Sequence, residues 1–153
     1  MAAVDHVIEN PVMATERTTL NIDVAILLRH AQLRKQLACE AELSTIELTL
    51  PQWGILHAVA THPDSSTHAL ALLTGQSDQS AGSVVAGLER RRLVERFSAG
   101  GRAILHRLTA DGNRIVEHAD RIIDEVMQRE TGHLSDNDLK TLRRLLRRIV
   151  GTA

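Results

Sequence analysis

Residues 64–112 constrain the fold more tightly than any other stretch, because start and stop signals follow one another at short intervals. Asp-Ser-Ser at 64–66 offers N-caps to a short helix running through residue 73. Gly75 marks a turn, and Ser77 caps a second helix reaching about residue 91. Two strand-like runs follow at 93–97 and 102–108, joined by the loop 98–101 with its Gly-Gly pair, and Thr109 opens another helix. A short helix, a glycine turn, a helix and a hairpin predict a winged helix-turn-helix.

The second helix of that unit can be read by angle at 100° per residue. Ala81, Val84, Val85 and Leu88 fall on one narrow apolar stripe, while Gln79, Ser83, Ala86, Gly87 and Arg90 fall opposite. Helical glycines at 82 and 87 each cost about 1 kcal/mol relative to alanine. Close approach to another surface would repay that cost, and a DNA groove is such a surface. Gln79, Ser80 and Ser83 are the side chains placed to read base edges there.

Net charge is only −1, yet the charge is unevenly spread. Six arginines lie between Glu89 and Arg107, against the two acids Glu89 and Glu95. A local basic patch is what phosphate binding requires, whatever the overall balance. Trp53 and Phe97 are the only aromatic residues, so the core must be built from Leu, Ile, Val and Ala. The same scarcity argues against a single-strand binder, which stacks bases on aromatic side chains.

Elsewhere the pattern is helical. Residues 1–19 read as a polar N-terminal arm, either mobile or the frayed start of a helix. Apolar residues at helical spacing predict a long first helix over 20 to about 41, within a segment 20–48 that also holds a linker. Pro51 suits the first turn of a second helix that ends near Pro63. The winged unit covers 49–110. Two helices complete the chain over 111–153, the last opened by Ser135 with Asp138 three residues on, in the manner of a capping box. The expected fold is mainly α with a small β-hairpin wing, flanked by long N- and C-terminal helices.

From Ser66 to Gly112 the chain resembles the MarR family of winged-helix transcription regulators. LALLTG at 70–75, LVER at 93–96 and RLTADG at 107–112 match family motifs, and PQW at 51–53 fits the start of the family's second helix. LSDNDLKTLRRLL at 134–146 fits its last helix. The resemblance spans roughly residues 20–150. It implies a homodimeric repressor on a palindromic double-stranded DNA operator, released by a small-molecule effector. It places Arg102 at the wing tip for the minor groove, where a narrow groove concentrates negative potential. Ser66, Ser77, Arg90, Arg96 and Arg107 are the further candidates for DNA contact, with phosphates passing Arg96 and Arg107 at the base of the hairpin. Gly100 and Gly101 stand where the family carries Asp-Arg, and Arg92 replaces the glycine usual before Leu-Val.

The resemblance also implies an aromatic or anionic effector held between the dimer helices and the winged part, with Arg29, His30, Trp53 and His57 as candidates. Leu139, Leu142, Leu145, Leu146 and Ile149 give the last helix the apolar side that a dimer would bury. Two other classes compete with a DNA-binding regulator. One is an interaction module that has lost DNA binding through its altered wing. The other is a thiol- or metal-responsive sensor using Cys39, the single cysteine. No ligand spacing advertises a metal site and no cofactor is called for. No nucleophile–base–acid set marks an enzyme. The absence of a leader-like start or a long apolar run makes a cytoplasmic, membrane-free protein the expectation.

Overall fold

A computed structural model describes residues 11–98, 100 and 103–151, with side chains from residue 15 onward. The chain divides into two units inside its first helix, Met1–Gln36 and Leu37–Ala153.

The first unit consists, among described residues, of most of α1 (Pro11–Leu43). Leu20, Ile22, Val24, Ile26, Leu27, Leu28 and Leu33 are all exposed on it. Helix is present from Pro11, well ahead of the residue 20 expected from periodicity. Periodicity registers only apolar faces, and a polar helical turn such as Thr15–Thr19 leaves no such trace. Here the Thr19 hydroxyl donates back to the Thr15 carbonyl, 3.2 Å away. Of the predicted arm, residues 1–10 lie outside the described residues.

In the second unit a 3-10 turn (Ser44–Ile46) leads to α2 (Leu50–Thr61), α3 (Thr67–Thr74) and α4 (Asp78–Arg90). The strands β1 (Val94–Ser98) and β2 (Ile104–Leu108) follow, then α5 (Ala110–Thr131) and α6 (Asp136–Val150). Each helix from α2 onward starts on a hydroxyl cap: Thr49, Ser66, Ser77, Thr109 and Ser135 accept from the backbone amide three residues on. Each such cap is worth about 1 kcal/mol. Thr49 with Gln52 and Ser135 with Asp138 form complete capping boxes. The Ser135 hydroxyl and amide both donate to the Asp138 carboxylate, holding its pKa below the usual value.

The core is aliphatic, as the shortage of aromatics requires. Leu43, Ile55, Leu56, Val59, Leu70 and Leu88 are fully buried, with Ala81, Val85, Val94 and Val116 around them. Trp53 only packs against this cluster from its edge. By contrast α6 buries nothing within the chain: Leu142, Leu145, Ile149 and Val150 are exposed.

One glycine explains a motif. Gly112 lies in the first turn of α5, where any Cβ would overlap the Leu93 carbonyl oxygen. That carbonyl accepts the Thr109 amide at 3.1 Å, and the Thr109 hydroxyl donates to the Arg92 carbonyl at 2.7 Å. The Leu-Thr-x-x-Gly run therefore seats α5 directly on the turn leaving α4.

Candidate nucleic-acid interface

The helix-turn-helix depends on Gly75, which ends α3 in the left-handed region (φ 66°) while its amide bonds back to α3. Ser77 then starts α4 at once. On α4 the predicted stripe is inside: Ala81, Val85 and Leu88 are buried and Val84 is half-buried. Gln79, Ser80, Ser83 and Arg90 are exposed, as the angular reading expects, whereas Ala86 and Gly87 are half-buried. A Cβ at Gly82 would meet only the Thr67 methyl, at an ordinary 3.9 Å.

The hydroxyls on this face already have structural tasks. Ser66 accepts from the Ala69 amide and Ser77 from the Ser80 amide, both at 3.2 Å. Each cap's own O–H remains a donor that can reach an anion. The Ser80 hydroxyl donates to Gln76 Oε1 at 3.0 Å, so it is turned toward the bend. His68 and Asp78 pair across the bend at 2.9 Å.

α4 ends in a Schellman-type turn, with the Leu93 amide bonded to the Leu88 carbonyl at 3.0 Å. The residue this turn forces left-handed is Arg92 (φ 58°), which accounts physically for the glycine that the family carries there. The exposed Arg91 guanidinium donates to the Glu47 carbonyl at 2.8 Å. Arg92 and Arg96 line one shallow hollow with Glu89, Glu95 and Thr109.

The hairpin is antiparallel with Val94 opposite Leu108, Glu95 opposite Arg107 and Arg96 opposite His106. It begins one residue later than predicted on β1 and two later on β2. Its two inner residues, Val94 and His106, are buried. Arg96 is exposed. Arg107 has a different situation from the expected one. Its guanidinium stacks over the Phe97 ring at 3.9 Å and donates twice to Asp64 Oδ1, at 2.9 and 3.2 Å. Its charge is thus balanced within the chain. Asp64 carries no motif that could have announced this pairing 43 residues away. Arg102 lies outside the described residues.

A second cluster joins α2 to α5. Trp53 Nε1 donates to Asp120 Oδ1 at 2.7 Å, and His57 Nδ1 lies 3.0 Å from the same oxygen. The two rings are 5.6 Å apart and tilted by 37°. The structure therefore brings together two of the four effector candidates around a carboxylate that sequence reading missed. The available signal was the indole N–H, which needs an acceptor once Trp is partly buried. Arg29 and His30 belong to the first unit and are exposed there.

Cys39 is buried, at 1% exposure, away from the solvent contact a reactive thiolate needs. Among the described residues no group of three or more His, Cys, Asp or Glu could hold a metal ion. Among them, too, no helix is long and apolar enough to cross a membrane.

Residues 46–104 match a family model described as MarR family. The curated transcriptional regulator HosA from Escherichia coli is 29% identical over 108 residues, covering 69% of this chain and 80% of HosA. A MarR-family regulator from Rhodococcus sp. RHA1 superposes with a TM-score of 0.80 at 22% identity, over 86% of this chain and 94% of that one. BpsR from Bordetella bronchiseptica, whose DNA binding is regulated by 6-hydroxynicotinic acid, superposes with a TM-score of 0.76. It is 24% identical over 83% of this chain and 98% of its own. At these identities the two structures speak for the fold alone. The chain is thus similar to MarR-family winged-helix transcriptional regulators, with the family model matched over residues 46–104.

Proposed function

We propose that this protein is a repressor that binds a palindromic double-stranded operator as a homodimer and is released by a small aromatic or anionic effector. The observation carrying this reading is the outer face of α4. It exposes Gln79, Ser80 and Ser83, is free of bulky apolar side chains, and ends in the exposed Arg90. In this reading Gln79 and Ser83 reach base edges, and Ser66, Ser77, Ser80 and Arg90 meet the backbone on either side. Arg96 approaches phosphate from the wing, and Arg102 is assigned to the minor groove by resemblance. Arg107 acts indirectly, because its bonds to Asp64 tie the wing to the start of α3.

The dimer reading is supported by the open leucines of α6 and of α1, an unusual amount of exposed aliphatic surface for a monomer. Two-fold symmetry would set a pair of reading helices about 34 Å apart. The effector reading is supported by the Trp53–His57 pair, whose rings offer a stacking surface beside Asp120. It is supported also by the likeness to BpsR, which responds to 6-hydroxynicotinic acid.

The test is a band-shift titration on the DNA upstream of the protein's own gene, with a scrambled duplex as control. Retention of the first duplex at a concentration that leaves the second free is expected. Trp53 is the only tryptophan, so its fluorescence reports effector binding directly. One observation favours a second reading, an interaction module without DNA affinity. Arg91 and Arg107 are already engaged within the chain, so the basic cluster is smaller than its sequence suggests. Equal, weak retention of both duplexes would select it.

A further inference from the structure

His106 is the only buried polar or charged residue among the described ones, at 2% exposure. It sits where wing, α3 and α4 meet. Its backbone amide donates to the Ser65 carbonyl at 3.0 Å, and its carbonyl accepts the Asp64 amide at 3.1 Å, so β2 is stitched to the segment before α3. Its Nε2 lies 3.0 Å from the Thr67 hydroxyl. Its Nδ1 is buried with no hydrogen-bond partner, while Glu89 Oε1 on the last turn of α4 stands 3.5 Å off. That spacing is too long for a good bond and short enough to become one.

We infer that His106 is a positioning residue with a proton-dependent hold: neutral, it keeps the wing seated on α3 and α4, and protonated, it lets the wing lift, so that grip on duplex DNA weakens in acid. This rests on the DNA-binding reading above. Burial dominates the energetics, because a cation at this position loses water that only Glu89 partly replaces. Arg96, directly across the hairpin, opposes the cation. Together these lower the imidazole pKa, with burial the largest cause, Glu89 working against it and Arg96 with it.

The other elements packed on β2 add little charge at the ring. Asp64 is bound to Arg107, and Asp111 is paired with Arg114 at the start of α5. Val59 and Ala60 of α2 and Asn113 of α5 border the hollow beside Arg107 and Leu108. The sign follows from linkage. A histidine depressed in the seated wing contributes its full stability above about pH 6.5 and loses it as pH falls through the seated value.

The experiment is duplex affinity of the full-length protein from pH 7.5 to 5.5 at constant ionic strength, for wild type, H106Q and E89Q. Wild type should lose on the order of tenfold over this range, with a ceiling of about tenfold per pH unit for one proton per wing. H106Q should hold its affinity within about twofold, since its amide keeps a neutral donor near Thr67. E89Q removes the charge that steadies the cation in the seated wing, so relative to its own affinity at pH 7.5 it should lose at least as much by pH 5.5 as wild type does. Parallel pH slopes for wild type and H106Q, or a shallower acid loss in E89Q than in wild type, would overturn the inference.

Should H106Q fail to fold, E89Q and wild type are compared by the NMR titration of the histidine rings. Should no duplex bind at any pH, the function proposed above fails, and His106 is judged by hydrogen exchange of the β1 and β2 amides. Protection lost between pH 7 and 5.5 supports the proton-dependent hold, and unchanged protection refutes it.

Discussion

Replacing Gly112 by alanine separates two opposed physical effects. Helix propensity alone favours alanine by about 1 kcal/mol at a helical position. The structure reverses the sign, because the new methyl would occupy the space of the Leu93 carbonyl oxygen. A backbone carbonyl cannot rotate away as a side chain can. Relief requires α5 to move off the α4–β1 turn, which stretches the Thr109 bonds to Arg92 and Leu93. Overpacking of this kind costs about 1–3 kcal/mol, and the weakened cap adds about 1 kcal/mol. After the propensity gain, a net loss of about 1–3 kcal/mol remains. For a chain of 153 residues that lowers Tm by roughly 2–12 °C. Thermal unfolding followed by circular dichroism, at one fixed protein concentration, measures it. Gly82→Ala is the internal control: its methyl meets only the Thr67 methyl at 3.9 Å, so it should stabilise by up to about 1 kcal/mol. If Gly112→Ala melts higher than wild type, the close seating of α5 on Leu93 is wrong.

Three other outcomes are expected. Arg92→Gly relieves a left-handed backbone at a cost of flexibility in the unfolded chain, so stability should rise by about 0.5–1 kcal/mol in denaturant titration. Arg102→Ala should weaken duplex binding by about 1–2 kcal/mol per site without altering Tm or dimerisation, read by anisotropy and sedimentation. Ser83→Ala should shift the preference between operator and scrambled duplex more than the overall affinity, which a competition titration resolves.

Local signals were the legible part of this chain. The caps at Ser66, Ser77, Thr109 and Ser135 and the break at Gly75 act within three or four residues of themselves. The buried stripe of α4 could be read because helical geometry alone decides which side chains share a face. Pairings across the fold left no trace in sequence. Asp120 lies 67 residues from Trp53, and Asp64 lies 43 from Arg107, with no spacing to connect them. The resemblance and its place at the base of the hairpin therefore assign Arg107 to phosphate, whereas the structure gives it an internal partner. His106 escaped notice for the same reason, since a histidine in an alternating strand reads as an ordinary inward position. The early part of α1 is legible only as one of two alternatives, an arm or a frayed helix start, because a polar helix carries no apolar period.

In the proposed function a dimer of this chain grips duplex DNA through the α4 face and the hairpin. The most direct measurement is the affinity for the upstream duplex across a range of salt concentrations, with stoichiometry fixed by sedimentation of the complex. Two chains per site are expected, with a linear fall of log affinity against log salt whose slope is about −0.9 for each phosphate neutralised. A monomer in the complex, or an affinity indifferent to salt, would contradict it.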